Sequence, residues 1–182
     1  MSGWPAVGKT TVAEQLAKEF GLSIFNGGDI LKDLASEKGF NVAGKDWWDS
    51  EEANKFMLER QSNLYFDKEV DRRLIEMAVS GNVVITSYTL PWLTDSAVKI
   101  WLRGSEHSRA KRMANRDGIN VFDAEKIVRQ RDNDNKRIYW KLYNIGFGDD
   151  LSVFDFILNT DLLDLQILID LTKKIVGHIL IP

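Results

Sequence analysis

Cysteine is absent from the 182 residues, and histidine occurs only at His107 and His178. The first absence excludes disulfide scaffolds, thiolate metal sites and cysteine nucleophiles. The second leaves too few imidazoles for a histidine metal cage. Proline is scarce, with three in the chain, and no Pro/Gly-rich linker, low-complexity tract or internal repeat divides it, so 1–182 reads as one domain. No apolar run approaches the ~20 residues of a membrane span, and no charged-then-apolar leader opens the chain, which sets the expectation of a cytoplasmic protein without a membrane partner. An excess of basic residues is missing too. With 24 Lys+Arg against 27 Asp+Glu the net charge is −3, and no nucleic-acid partner is expected.

What is present begins at once. Gly3 to Thr10, "GWPAVGKT", fits GxxxxGK[ST], a loop that cradles the phosphates of ATP or GTP. Gly3 and Gly8 let the backbone turn where side chains would block it and approach an anion closely. A helix starting at Thr10 aims free N–H groups and its positive dipole end at the loop. Lys9 is then the point charge for the β- and γ-phosphates, and the Thr10 hydroxyl a ligand for Mg²⁺. The plain alternative is an accidental glycine-rich arm. Such a loop normally hangs from a buried strand, yet only Met1 and Ser2 precede it. Three explanations are open: about five residues of strand lie upstream of this chain, the C-terminal "HILIP" (His178 to Pro182) fills the slot, or the sheet rearranges. The bland account of "HILI" is a disordered or helix-extending tail.

Along the chain, Val12, Leu16 and Phe20 recur four apart with Glu14, Lys18 and Glu19 facing away, a helix stopped by Gly21. "LSIF" (Leu22 to Phe25) reads as a strand, Asn26-Gly27-Gly28 as a turn, and Asp29 to Lys38 as a helix. Gly39 to Ser50 reads as an inserted loop. Its Trp47 and Trp48 either pack back on the body or form a flap beside the site. Glu51 to Ser80 is helical, in one or two pieces. Strands follow at Asn82 to Thr86, Ala97 to Leu102 and Val153 to Leu158, with helices at Glu106 to Arg116, Asp123 to Tyr143 and a closing stretch from Leu162 to Ile175. Strands separated by helices imply right-handed crossovers and a parallel sheet covered on both faces.

In the order and spacing of "SGWPAVGKTTVAEQLA", "GGDILKDLA", "KEVDRRLIEMAVSGNVVI", "VKIWLRG", "RAKRMANRDG", "IVRQRD" and "DLSVFDFILNT", the chain resembles the nucleoside monophosphate kinases, most of all the compact archaeal cytidylate kinases. The resemblance implies a three-layer α/β/α P-loop kinase with a parallel sheet, its usual central first strand absent or supplied otherwise, an acceptor side over 39–80 and a helical lid over 117–147. It implies phosphoryl transfer from ATP with Mg²⁺ to a small-molecule acceptor by a monomer or weak dimer. It places Gly3, Trp4, Pro5, Ala6, Val7, Gly8, Lys9, Thr10 and Thr11 on the donor nucleotide, with Arg109 and Arg112 beside it. Arg131 and Arg137 fall in the arginine-rich closing segment, which with Lys9 would serve the transferring phosphoryl group. Asp29 would ligate Mg²⁺ through water near the acceptor, a role compatible with an N-cap.

Departures from the family pattern cluster on the acceptor side. A phosphate-binding arginine is replaced by Lys32, which keeps charge but loses the bidentate fork. An acidic residue, a glycine and a second arginine are replaced by Thr86, Ser87 and Tyr88. The closing helix carries Arg131, Asn135 and Ile138 where the family has arginine, acid and arginine. Asn135 can still accept a hydrogen bond from a cytosine amino group, and Ile138 cannot bind any polar group. Arg72, Arg73 and Lys45 are candidate substitutes, with surface charge the plain account of each. Three readings follow: a CMP-type nucleotide kinase, a kinase for a small acceptor without a phosphate, and a nucleotide-binding protein without turnover.

Overall fold

The structure is a computed structural model and describes residues 1–43, 47–95 and 97–180. Lys45 and the last two residues of "HILIP" lie outside them. Strands β1 (Ser2–Gly3), β2 (Ser23–Asn26), β3 (Val83–Thr86), β4 (Ile100–Arg103) and β5 (Phe156–Asn159) alternate with helices α1 (Lys9–Phe20), α2 (Gly27–Glu37), α3 (Glu51–Ser62), α4 (Tyr65–Ser80), α5 (Leu90–Leu93), α6 (Glu106–Asp117), α7 (Val121–Tyr143) and α8 (Leu165–Leu180). All strand pairs are parallel, β2 with β3 and β4 with both β1 and β5.

The slot between β3 and β4, where the sequence reading finds no strand, is held by the first three residues. Ser2 and Gly3 register against Trp101 and Leu102 of β4. On the other side the Met1 nitrogen donates to the Ile85 carbonyl (2.6 Å), the Ser87 N–H donates to the Met1 carbonyl (3.1 Å), and the Ser2 hydroxyl donates to the Tyr88 carbonyl (3.0 Å). These bonds pair backbone groups on both neighbours and root the phosphate loop in the sheet. Gly3 permits the approach: at φ 147° a Cβ there would lie 2.3 Å from the Leu102 carbonyl oxygen. The described residues of "HILI", His178 to Leu180, do not fill the slot. His178 to Leu180 extend α8, since the apolar period of that helix continues through Val176 and Ile179.

Other differences are of boundary. Strands β4 and β5 start later than their apolar runs because pairing begins at Ile100↔Phe156, below which the Asp155 carboxylate caps the Lys99 N–H (2.7 Å). Helix α7 starts two residues earlier than expected, set by the Asn120 side chain accepting from the Asp123 N–H.

The core has four parts. α1 and α8 cover one face of the sheet through Val12, Leu16, Leu168 and Ile169. α2, α3 and α4 bury Leu34, Phe56, Phe66 and Leu74, and Trp47 joins them at 1% exposure, edge-on to Trp48 with ring centroids 4.6 Å apart. Trp47 and Trp48 of the inserted stretch thus pack back on the body. A third part stacks Trp101, Tyr139 and Phe147 beneath the phosphate loop, and a fourth joins α6 to α7 through Met113 and Val128.

Candidate phosphate-transfer site

The phosphate loop leaves β1 and enters α1 through Gly8, whose left-handed conformation (φ 93°) forms the N-cap with no side-chain capping bond. The first amides of α1 are therefore uncapped by any side chain, the arrangement that binds anions. Ala6 also adopts a positive φ of 61°, a tight turn that brings the loop back toward Lys9. The Lys9 ammonium donates to the Gly3 and Trp4 carbonyls at 2.9 and 2.8 Å and sits 4.9 Å from the centroid of the Tyr88 ring. Burial, aided by the Arg109 charge and partly opposed by Asp132, lowers its pKa to about 7.

Tyr88 follows β3, and burial raises its phenol pKa against the smaller opposing effects of Arg131, Arg60 and Asn135 of α7. Its ring packs against Tyr139 and Phe147 at 5.9 and 5.6 Å. Asn135 and Ile138 are both buried, so the two α7 positions expected to meet the acceptor base lie within this packing. Arg131, half-buried one turn earlier, has no hydrogen-bond or ion-pair partner among the described residues, and its charge acts on the Tyr88 phenol. Arg137 is exposed and pairs with Asp134 (2.9 Å).

Arg109, expected beside the donor nucleotide, makes its hydrogen bonds within the protein. It is 3% exposed, binds both oxygens of Asp132, and donates to the Gly104 and Pro5 carbonyls. Its guanidinium also lies 5.6 Å from the Trp4 ring centroid. Arg109 thus ties the lid helices to the loop. Arg112 donates to the hydroxyl and carbonyl of Thr160 at 3.0 and 2.6 Å, joining α6 to the end of β5. Between these ends, Trp4, Gly104, Gly148, Asn159 and Asp161 help line a cavity of about 320 Å³.

At the acceptor end, Asp29 is exposed in the first turn of α2 and accepts from the Asn26 amide (2.8 Å), whose carbonyl accepts from the Thr86 hydroxyl (2.7 Å). Lys32 is half-buried with its ammonium 5.9 Å from the Trp47 ring centroid. Arg72 pairs with Glu69 and Glu76, and Arg73 with Glu69 and Glu37. The fold therefore sets the Lys9 ammonium against Tyr88, with Arg109 acting on Lys9 and Arg131 on Tyr88 by charge, while Arg72, Arg73 and Arg137 pair with carboxylates elsewhere. Thr10 and Thr11 are exposed at the head of α1. One hydroxyl and one carboxylate, Thr10 and Asp29, are hard oxygen donors of the kind Mg²⁺ accepts beside water and phosphate oxygens. Among the described residues no cluster of three carboxylate or imidazole groups competes as a metal site.

Several participants were not singled out by the sequence. Asp132, which holds both terminal nitrogens of the Arg109 guanidinium, is one. Arg60 and Asp67 form a buried pair (2.7 Å) from which Arg60 also reaches the Tyr139 hydroxyl (3.4 Å). Asp71, at 3% exposure, accepts from the Thr89 and Tyr143 hydroxyls. Only the acidic period of α4, with Asp67 and Asp71 four apart on the face that also carries Val70 and Leu74, hinted that these carboxylates turn inward.

Residues 1–162 match the family model described as the cytidylate kinase-like family. A cytidylate kinase of Pyrococcus horikoshii is 34% identical over 98% of this chain and 88% of its own length. One of Pyrobaculum islandicum is 34% identical over 91% and 85%. Among solved structures, a shikimate kinase from Bacteroides thetaiotaomicron superposes with a TM-score of 0.57 at 18% identity, covering 98% of this chain and 95% of that one, a likeness of fold.

Proposed function

The chain belongs to the cytidylate kinase-like family and is a P-loop kinase, and from that premise we propose that it transfers the γ-phosphoryl group of ATP to a nucleoside monophosphate of the CMP type. The observation that carries the reading is the uncapped start of α1 with the Lys9 ammonium folded inside its loop. Phosphoryl transfer asks a protein for positioning and charge stabilisation more than for covalent chemistry. In this reading the amides of the loop and of the first α1 turn hold the polyphosphate, Lys9 sits between its terminal groups, and the cavity beside Trp4 takes the donor's base. Arg131, the uncommitted guanidinium at the lid, serves the charge that develops on transfer. Arg137 joins it only if α7 moves. Thr10 and Asp29 are the residues that would hold Mg²⁺, which when bound offsets phosphate charge.

A second reading, a small acceptor that carries no phosphate, is favoured by one observation. Asn135 is buried and Ile138 is both buried and apolar, so α7 offers an acceptor little polar surface at either position. An ADP-release assay with CMP, UMP, dCMP, AMP and non-nucleotide alcohols separates the two. CMP as the preferred acceptor supports the first; ADP release only with an alcohol supports the second; ATP binding without release under any acceptor overturns both.

A further inference from the structure

Helix α8 has a second apolar side that the fold leaves open. Its first side, Leu168, Ile169 and Thr172, is buried. Against one flank lies α1, where the Lys173 ammonium donates to Glu19 (2.6 Å) and Gly177 lies against Phe20. On the flank away from α1, apolar residues recur every four positions at Ile167, Leu171, Ile175 and Ile179, the spacing of one continuous helical stripe. Ile167 and Leu171 are 52% and 36% exposed, Ile175 is half-buried, and Ile179 shares an open cavity with Val98 and Phe156. Strand β5, which starts at Phe156, pairs with β4 alone among the described residues, so the stripe ends beside an open sheet edge. A single exposed apolar side chain is ordinary. A contiguous row of them marks a surface that meets a partner.

The charges beside the stripe select that partner. Asp164 and Asp170 flank its N-terminal half, Lys174 and His178 its C-terminal half, and all four are exposed. This order suits the dipole of α8 itself. It also makes the face complementary to its own reverse. With a twofold axis beside Leu171, two antiparallel copies of α8 set Leu171 near Leu171, Ile167 beside Ile175, Asp170 opposite Lys174 and Asp164 beside His178. Within one chain the two carboxylates accept only from neighbours on the helix, Asp170 from the Gln166 amide and Asp164 from the Ile167 N–H, both at 2.9 Å.

We infer that two copies of this chain associate through α8, antiparallel about a twofold axis. The association is independent of which acceptor the phosphate-transfer site takes. At 16 residues, α8 is about 24 Å long. One such face covers less than the roughly 800 Å² per partner of a standard interface, so the dimer is weak, with a Kd on the order of 10 to 100 µM.

Sedimentation velocity of the full-length chain, from about 5 to 500 µM, reads this equilibrium. Asp170→Lys and Lys174→Asp, each alone, put like charges opposite one another across the axis and should weaken association at least about tenfold. Mixed in equal amounts, the two variants regain both charge pairs in a heterodimer, and the mixture should associate as the wild type does. A charge effect confined to the dipole of one helix is not repaired by mixing. Leu171→Asp should abolish the dimer while circular dichroism and MgATP binding stay as in the wild type. A wild type that remains monomeric over the whole range overturns the inference, whether the face then meets another protein or none. So do charge variants that dimerise like the wild type, or a mixture that associates no better than its two components.

Discussion

Asp132 holds the guanidinium of Arg109 through both oxygens, at 2.9 and 2.6 Å, across the seam between α6 and α7. The same guanidinium reaches back to the Pro5 carbonyl in the phosphate loop. Asp132→Ala would leave a buried positive charge facing Pro5 and Gly104 with no anion, and breaking such a pair costs about 3 kcal/mol. Urea denaturation should show a loss of that order, together with weaker MgATP binding as the loop loses its tie to the lid. An unchanged midpoint would remove Arg109 and Asp132 from the account of the loop.

Gly148 at φ 80° lies under Trp4, and a Cβ there would stand 2.0 Å from the indole Cζ2. Trp4 packs edge-on to Phe147 at 4.8 Å. Gly148→Ala must therefore displace Trp4 and with it the phosphate loop. The expected loss is about 2 to 3 kcal/mol, the strained backbone plus overpacking, accompanied by a change in tryptophan fluorescence. Gly21→Ala is the control. Gly21 has φ 63° but open space around it, so only the backbone cost of about 1 kcal/mol should appear.

Burial raises Asp71 to a pKa of about 6, against the smaller opposing effect of the Thr89 and Tyr143 hydroxyls. Between its ordinary value near 4 and about 6 the folded chain holds a proton that the unfolded chain has released. Stability from this group is thus fully present below about pH 4 and lost as pH rises to about 6. The difference amounts to about 3 kcal/mol at most. Asp71→Asn should flatten this fall in denaturation experiments at pH 4.5 and 7; a wild-type fall that persists in the variant assigns it to other groups.

Lys9 has the opposite sign. With its pKa lowered to about 7, the unfolded chain binds more protons from pH 7 up to its ordinary range above 10, and ligand-free stability from this group rises with pH through that window. A polyphosphate favours the charged lysine, so binding of MgATP at pH 8 should take up close to one proton. Calorimetry in buffers of different ionisation enthalpy reads this directly. Uptake at pH 8 that vanishes at pH 6 agrees; no buffer dependence at pH 8 disagrees.

What the sequence makes legible here is what is local. The GxxxxGK[ST] spacing places glycines, lysine and helix start within eight residues, and the 3.6-residue periods of α1, α6 and α7 appear without tertiary help. A two-residue strand has no period to read, so Ser2–Gly3 emerges only from pairing with Trp101 and Leu102. The four-residue α5 is hidden for the same reason. Contacts distant along the chain were the other blind spot. Arg109 and Asp132 sit 23 residues apart on two helices, each looking like one more charge on a solvated face, and the ring contact between Tyr88 and Tyr139 joins the end of a strand to a helix distant in sequence. Both add a contact to residues already singled out: Arg109 braces the loop, and Tyr88 packs on α7.

The central claim is that the loop and first turn of α1, with Lys9, grip a polyphosphate. Calorimetric titration of MgATP into the folded chain and into Lys9→Ala tests it most directly. The account predicts saturable one-to-one binding by the wild type and an affinity at least 30-fold weaker in the variant, the loss expected on truncating one charged partner of a buried contact. Equal binding by both proteins, or no heat from the folded wild type, would contradict it.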